Sequence, residues 1–223
     1  MQMQERIELK TKDGVAIIGT HYKWEKGSPA VLLLHMLPET KESWDGFAKK
    51  LQSKGFGVLA IDFRGHGESD GGPDGYRSFS EDETKKSIED ARAGFLFQKN
   101  ESHIPLFVVG ASIGANVALQ ILAEEKEING AVMLSAGIDY HGIQTLPSAR
   151  AVSGHQNVYI IAAKDDIRRN GISATVMGKE IFDAVASENK HIKIFETGGH
   201  GIHLFSVYQK LEDDIIAWLQ KHV

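Results

Sequence analysis

Cysteine is absent from all 223 residues. That one absence excludes disulfides, thiolate metal sites and cysteine nucleophiles together. An excess of positive charge is also missing. The formal net charge is −5, which leaves no basic footprint for nucleic acid or an anionic membrane. No apolar run approaches the length that crosses a bilayer, and the opening MQMQERIELKTKDG has no apolar core of signal-peptide type. Internal repeats, low-complexity tracts and a dividing linker are lacking too. These absences lead to the expectation of a cytoplasmic protein, one domain over residues 1–223, with no nucleic-acid or membrane partner.

What is present is an alternation of apolar β-branched runs with helical patterns. RIELKT (6–11) and VAIIGTHYKW (15–24) flank the turn signal Lys12-Asp13-Gly14 and predict an opening hairpin. AVLLLH (30–35), GVLAID (57–62), PLFVVG (105–110), GAVMLS (130–135), VYIIAA (158–163) and HIKIFE (191–196) read as further strands. The central ones are apolar nearly throughout, as parallel strands covered on both faces are. Helical patterns lie between them at 43–55, 82–100, 112–126, 173–187 and 204–223. The sum is an α/β fold: a doubly wound, mostly parallel eight-stranded sheet with an antiparallel start. Ligands of such sheets collect at the carboxyl ends of the strands, so the residues just after each strand are the ones to question.

After the strand at 105–110 comes Gly110-Ala111-Ser112-Ile113-Gly114. A G-x-S-x-G between strand and helix is a nucleophile elbow. The serine occupies a strained turn, small neighbours avoid collision with the adjoining strand and helix, and the helix aims its free N–H groups at the serine. A hydroxyl is a poor nucleophile until a base takes its proton. ETGGHGIHLF, after the last strand, offers His200 and His203; His200, between glycine-containing turns, is the preferred base. The two histidines have no third partner at metal-ligand spacing, so no metal is expected. An imidazole base needs a carboxylate to fix its tautomer, and KDDIRR supplies Asp165 and Asp166 after the strand at 158–163.

These motifs together make the chain resemble an α/β-hydrolase-fold serine esterase, from residue 15 to the end. VLLLHMLPE resembles the His-Gly-x loop, IDFRGHGESDG the D-x-R-G-x-G-x-S signature, and GASIG, AAKDD and GGHG follow in order. The resemblance implies Ser112 as nucleophile, His200 as base and, from the G-x-x-D-like Ala162-Ala163-Lys164-Asp165, Asp165 as the acid. It implies an oxyanion hole from the backbone N–H groups of Leu37 and Ile113, with Met36 where the family has glycine. His35 is expected to support that loop, Asp62 to Ser69 to form a structural turn, and Trp44 and Trp218 to sit in the core.

The segment between the strands at 130–135 and 158–163 is long enough for a flap, not for a large cap domain. Tyr140 and His141 are expected on the rim of an open site, with Met36, Ile167 and Ile202 as apolar substrate-binding surface. The expected activity is hydrolysis of small or short-acyl carboxylic esters through an acyl-enzyme, with no cofactor. A thioesterase, acyltransferase or peptidase using the same residues is the alternative, or a binding protein of this fold without turnover.

Overall fold

The computed structural model describes residues 4–101, 103–168 and 171–223. Ten strands form: β1 Gln4–Lys10, β2 Ala16–Tyr22, β3 Ala30–Leu34, β4 Gly57–Ile61, β5 Leu106–Ala111, β6 Ile128–Leu134, β7 Asp139–Tyr140, β8 Ile143–Gln144, β9 Asn157–Ala163 and β10 Lys190–Phe195. The helices are α1 Asp45–Ser53, α2 Glu81–Lys85, α3 Ser87–Asn100, α4 Ile113–Glu124, α5 Thr145–Ala151, α6 Ala174–Ala184, α7 His203–Val207 and α8 Leu211–Lys221. Eight strands make one sheet in the order β1-β2-β4-β3-β5-β6-β9-β10, while β7 and β8 pair as a separate two-stranded hairpin. β2 is antiparallel to both β1 and β4, and every later neighbour is parallel. This is the α/β-hydrolase fold, with no large cap.

β3, fully buried, shows why the central strands lack polar positions. Its side chains alternate between the two faces, Leu32 and Leu34 into one apolar cluster and Val31 and Leu33 into the other. The first cluster lies under α3, α4 and α5 through residues such as Ala91, Phe95, Val117 and Ala149. The second lies under α1 and α8 through Phe47, Leu51, Ile215 and Leu219. Burial of both faces is what makes a parallel sheet stable. Trp44 belongs to this second core and Trp218 packs against it.

Two predicted helices are each divided. The 82–100 pattern becomes α2 and α3, with α2 opened by a capping box in which the Ser80 and Glu83 side chains each accept from the other's backbone N–H. The C-terminal pattern breaks between α7 and α8.

The winding reverses between β3 and β5, which are sequence-distant yet adjacent. A crevice opens at such a reversal, beyond the carboxyl ends of the two strands. β3 delivers His35, Met36 and Leu37 to that place, and β5 delivers Ser112.

Candidate active site

Ser112 stands between β5 and α4 with φ 53° and ψ −115°, a conformation that side-chain-bearing residues rarely adopt. Its N–H donates to the Leu134 carbonyl at 2.9 Å, tying the corner to β6. The flanking glycines are sterically required. A Cβ on Gly110 would collide with the Gly114 carbonyl, and one on Gly114 with the Leu34 carbonyl of β3. The elbow is therefore pressed against the loop that carries Leu37.

His200 follows β10 in a loop of positive-φ glycines, Gly198, Gly199 and Gly201. Its Nδ1 lies 2.9 Å from Asp166 Oδ2. The sequence points to Asp165; the structure instead brings Asp166 to this nitrogen. Asp165 is exposed, and its two oxygens accept from the Gly198 and Gly199 amides at 3.0 and 3.1 Å. A turn closed by the Asp166 N–H donating to the Ala163 carbonyl follows β9, and it leaves Asp166 buried against His200 while the exposed Asp165 holds the backbone of the histidine loop. Burial alone would raise the Asp166 carboxyl. The hydrogen bond and charge of His200, the Arg168 charge and the Ser135 hydroxyl outweigh it, and the group is held below the ordinary carboxylate range. Ser135 Oγ also accepts from the Gly201 amide at 2.8 Å, so the end of β6 steadies both sides of the pair. His203 is exposed at the start of α7, away from this arrangement.

A cavity of about 780 Å³ joins these elements, and Ser112, His200, Leu37 and Ile113 all line it. Ile113 is the first residue of α4, where an N–H has no partner within the helix. Tyr140 and His141 line the wall of this cavity, whereas Met36, Ile167 and Ile202 do not. Met36 is buried in the second core cluster, with its sulfur against the Cα of Gly201. Its side chain thus fills the space under the histidine loop rather than facing substrate. Ile167 is exposed and bridges to Ser173. Ile202 packs against the second core beneath α7.

Sequence reasoning missed the other half of the wall. The cover comes not only from the β7–β8 hairpin but also from residues 64–87, which contribute Arg64, His66, Tyr76, Arg77, Phe79, Thr84 and Ser87. His66 stacks on Tyr76 with ring centroids 4.1 Å apart and planes 10° from parallel. Lys85 of α2 lies against Gly142 of the hairpin, so the two covers touch. The expected structural turn is present beneath them. Asp62 accepts from the Lys41 amide and ammonium, both at 2.8 Å, and from the Glu68 amide at 3.0 Å. His35 supports its loop as expected: Nε2 accepts from the Phe63 amide at 3.0 Å, which leaves Nδ1–H to donate to the Met36 carbonyl at 3.0 Å. Burial pushes this imidazole down to about 3.

Arg168 was not singled out by any motif. Its Nη2 donates to the Ser135 carbonyl, and its Nη1 lies 3.0 Å from His200 Nδ1 and 3.2 Å from Nε2. Among the described residues the ring nitrogens of His200 meet Asp166 and Arg168, and no hydrogen bond between His200 and the Ser112 hydroxyl is formed.

The sequence family described as serine aminopeptidase, S33, matches residues 26–159, well over half of the chain. The chain belongs to this hydrolase family. Solved structures of similar fold include an esterase of Pyrococcus furiosus, 21% identical with a TM-score of 0.80, covering 99% of this chain and 91% of that one. An esterase of Exiguobacterium antarcticum is 14% identical with a TM-score of 0.76, covering 97% and 100%. A cold-adapted esterase from an Arctic intertidal metagenomic library is 21% identical with a TM-score of 0.75, covering 99% and 93%.

Proposed function

We propose that the protein hydrolyses carboxylic esters through an acyl-enzyme on Ser112, with Asp166 and His200 completing the triad. The observation that carries this reading is that His200, paired with the buried Asp166, lines one cavity with a serine held at positive φ. Asp166 fixes the tautomer that presents a bare Nε2. His200 Nε2 takes the Ser112 proton as Oγ attacks the ester carbonyl. The oxyanion is met by the Leu37 and Ile113 amides, the proton passes to the leaving alkoxide, and water activated by His200 releases the acid. For this, the His200 ring must exchange its contact with Arg168 for one with Ser112, a side-chain movement.

The family description and the shared constellation favour peptide cleavage as a second reading. An aminopeptidase must accept a substrate ammonium, and Arg168 beside His200 opposes that charge. This supports the ester over the peptide. The test is labelling by a fluorophosphonate together with turnover of short-acyl p-nitrophenyl esters, their thioesters and aminoacyl p-nitroanilides. Labelling and ester turnover that vanish in Ser112→Ala are expected; an unlabelled protein, or ester turnover untouched by the substitution, ends the proposal.

A further inference from the structure

Arg168 is the anomaly of the cavity. The three arginines in its wall are Arg64, Arg77 and Arg168. Arg64 is gripped by Asp13 and Asp90, with its shortest ion-pair distances both 2.7 Å. Arg77 is paired with Asp74 at 2.8 Å. Arg168 has no carboxylate in hydrogen-bond contact among the described residues: the oxygen of Asp166 is 3.8 Å away and is committed to His200. Its Nε is buried with no acceptor. A cation partly removed from water with an idle donor is costly to maintain for structure alone.

The place of the guanidinium adds to this. Nδ1 and Nε2 of an imidazole flank one carbon, and a nitrogen near 3 Å from both cannot lie along either lone pair. Arg168 Nη1 therefore lies over the ring face. A positive charge there opposes the imidazolium that ester cleavage must form. The arrangement is consistent if the guanidinium leaves the ring when a substrate brings its own negative charge.

We infer that Arg168 selects esters whose acyl part ends in a carboxylate, and that pairing with this carboxylate draws the guanidinium off His200. This rests on the esterase reading and names its substrate class. One cation whose nearest carboxylate, Asp166 at 3.8 Å, is engaged by His200 matches a monoanion; a phosphate dianion would leave a charge uncompensated. The planar fork of arginine suits a carboxylate bidentately. Leu37, Ile113 and Met177 supply apolar wall for the methylene chain between the two ends.

The test compares p-nitrophenyl hydrogen adipate with its methyl ester, which has the same chain and no charge. In the wild type, kcat/KM for the anion is expected to be about 10-fold or more above that for the methyl ester, falling as salt rises. Arg168→Gln should bring that ratio to about unity, whatever its effect on methyl-ester turnover, and Arg168→Lys should restore part of it. A wild-type ratio at or below unity, or one unchanged in Arg168→Gln, overturns the inference and leaves the esterase reading intact. Should no ester be turned over in a Ser112-dependent way, that reading fails, and calorimetric titration of Ser112→Ala decides the role of Arg168. Adipamate binding about 10-fold tighter than adipamide, lost with Arg168→Gln, supports it; equal binding overturns it.

Discussion

Asp166, and not the neighbouring Asp165, meets His200, with 2.9 Å between carboxylate and Nδ1. The two aspartates are thereby distinguishable by mutation. Asp166→Asn turns an acceptor toward a ring nitrogen into a possible donor and leaves the tautomer unfixed, so kcat should fall on the order of 10³–10⁴-fold. Asp165→Asn keeps one acceptor for the Gly198 and Gly199 amides and should cost about 10-fold or less. Steady-state kinetics on both variants checks this; a larger loss from Asp165→Asn would return the acid to that position.

The strained backbone of Ser112 gives a stability prediction. Residues held in sparsely populated backbone regions cost about 1–3 kcal/mol, and glycine escapes that cost at φ 53°. Ser112→Gly should therefore be more stable than Ser112→Ala by about 1 kcal/mol, with both inactive. Urea unfolding of the two proteins measures the difference. An alanine variant as stable as the glycine variant would mean that the turn stores no strain.

The central strands were legible because each lies in a run whose burial dictates its composition, and the elbow because Gly110, Ser112 and Gly114 answer to local steric demands. Between Asp165 and Asp166 the sequence pointed to Asp165, whereas it is Asp166 that meets His200. Both suit a polar turn, and which one meets His200 depends on the path of the turn that follows β9, which composition does not encode. Met36 was read as pocket surface because its position borders the oxyanion loop; only the packing of Gly201 on its sulfur shows that it faces the core. Arg168 and Tyr76 escaped for a different reason. Each enters the cavity through tertiary placement of a loop, and no spacing rule marks such residues.

The turn at 62–69 predicts a large effect far from chemistry. Lys41 and Asp62 are almost fully buried and joined at 2.8 Å, with Glu68 contributing a second contact to the ammonium at 2.9 Å. Removing one partner strands the other charge away from water. Lys41→Met is expected to destabilise the protein by about 3–5 kcal/mol. A loss under about 1 kcal/mol in denaturant unfolding, the range of exposed pairs, would show that water reaches Asp62 when the lysine is gone.

Three buried imidazoles set the response to acid. Burial lowers the titration of His21, His35 and His66, and His35 reaches about 3. In the unfolded chain each protonates near 6.5. Their folded values lie below their unfolded ones, so the stability they contribute is fully present above about pH 6.5 and drains away as pH falls toward the folded values. For His35 alone the loss between pH 7 and pH 5 is about 2 kcal/mol. The stability that the tightly held carboxylates Asp13 and Glu68 contribute is lost only as pH falls below about 4, where they protonate in the unfolded chain, so the first acid weakening belongs to the histidines. Urea unfolding at several pH values should show stability falling already between pH 6.5 and 5, with a shallower slope in His35→Gln once its lower baseline is subtracted. Equal slopes for the wild type and His35→Gln across that window would mean that His35 takes up a proton in the folded protein as readily as in the unfolded chain, and that its two backbone contacts do not hold it neutral; the comparison cancels Asp90, which burial raises to about 6 and which opposes the histidines there.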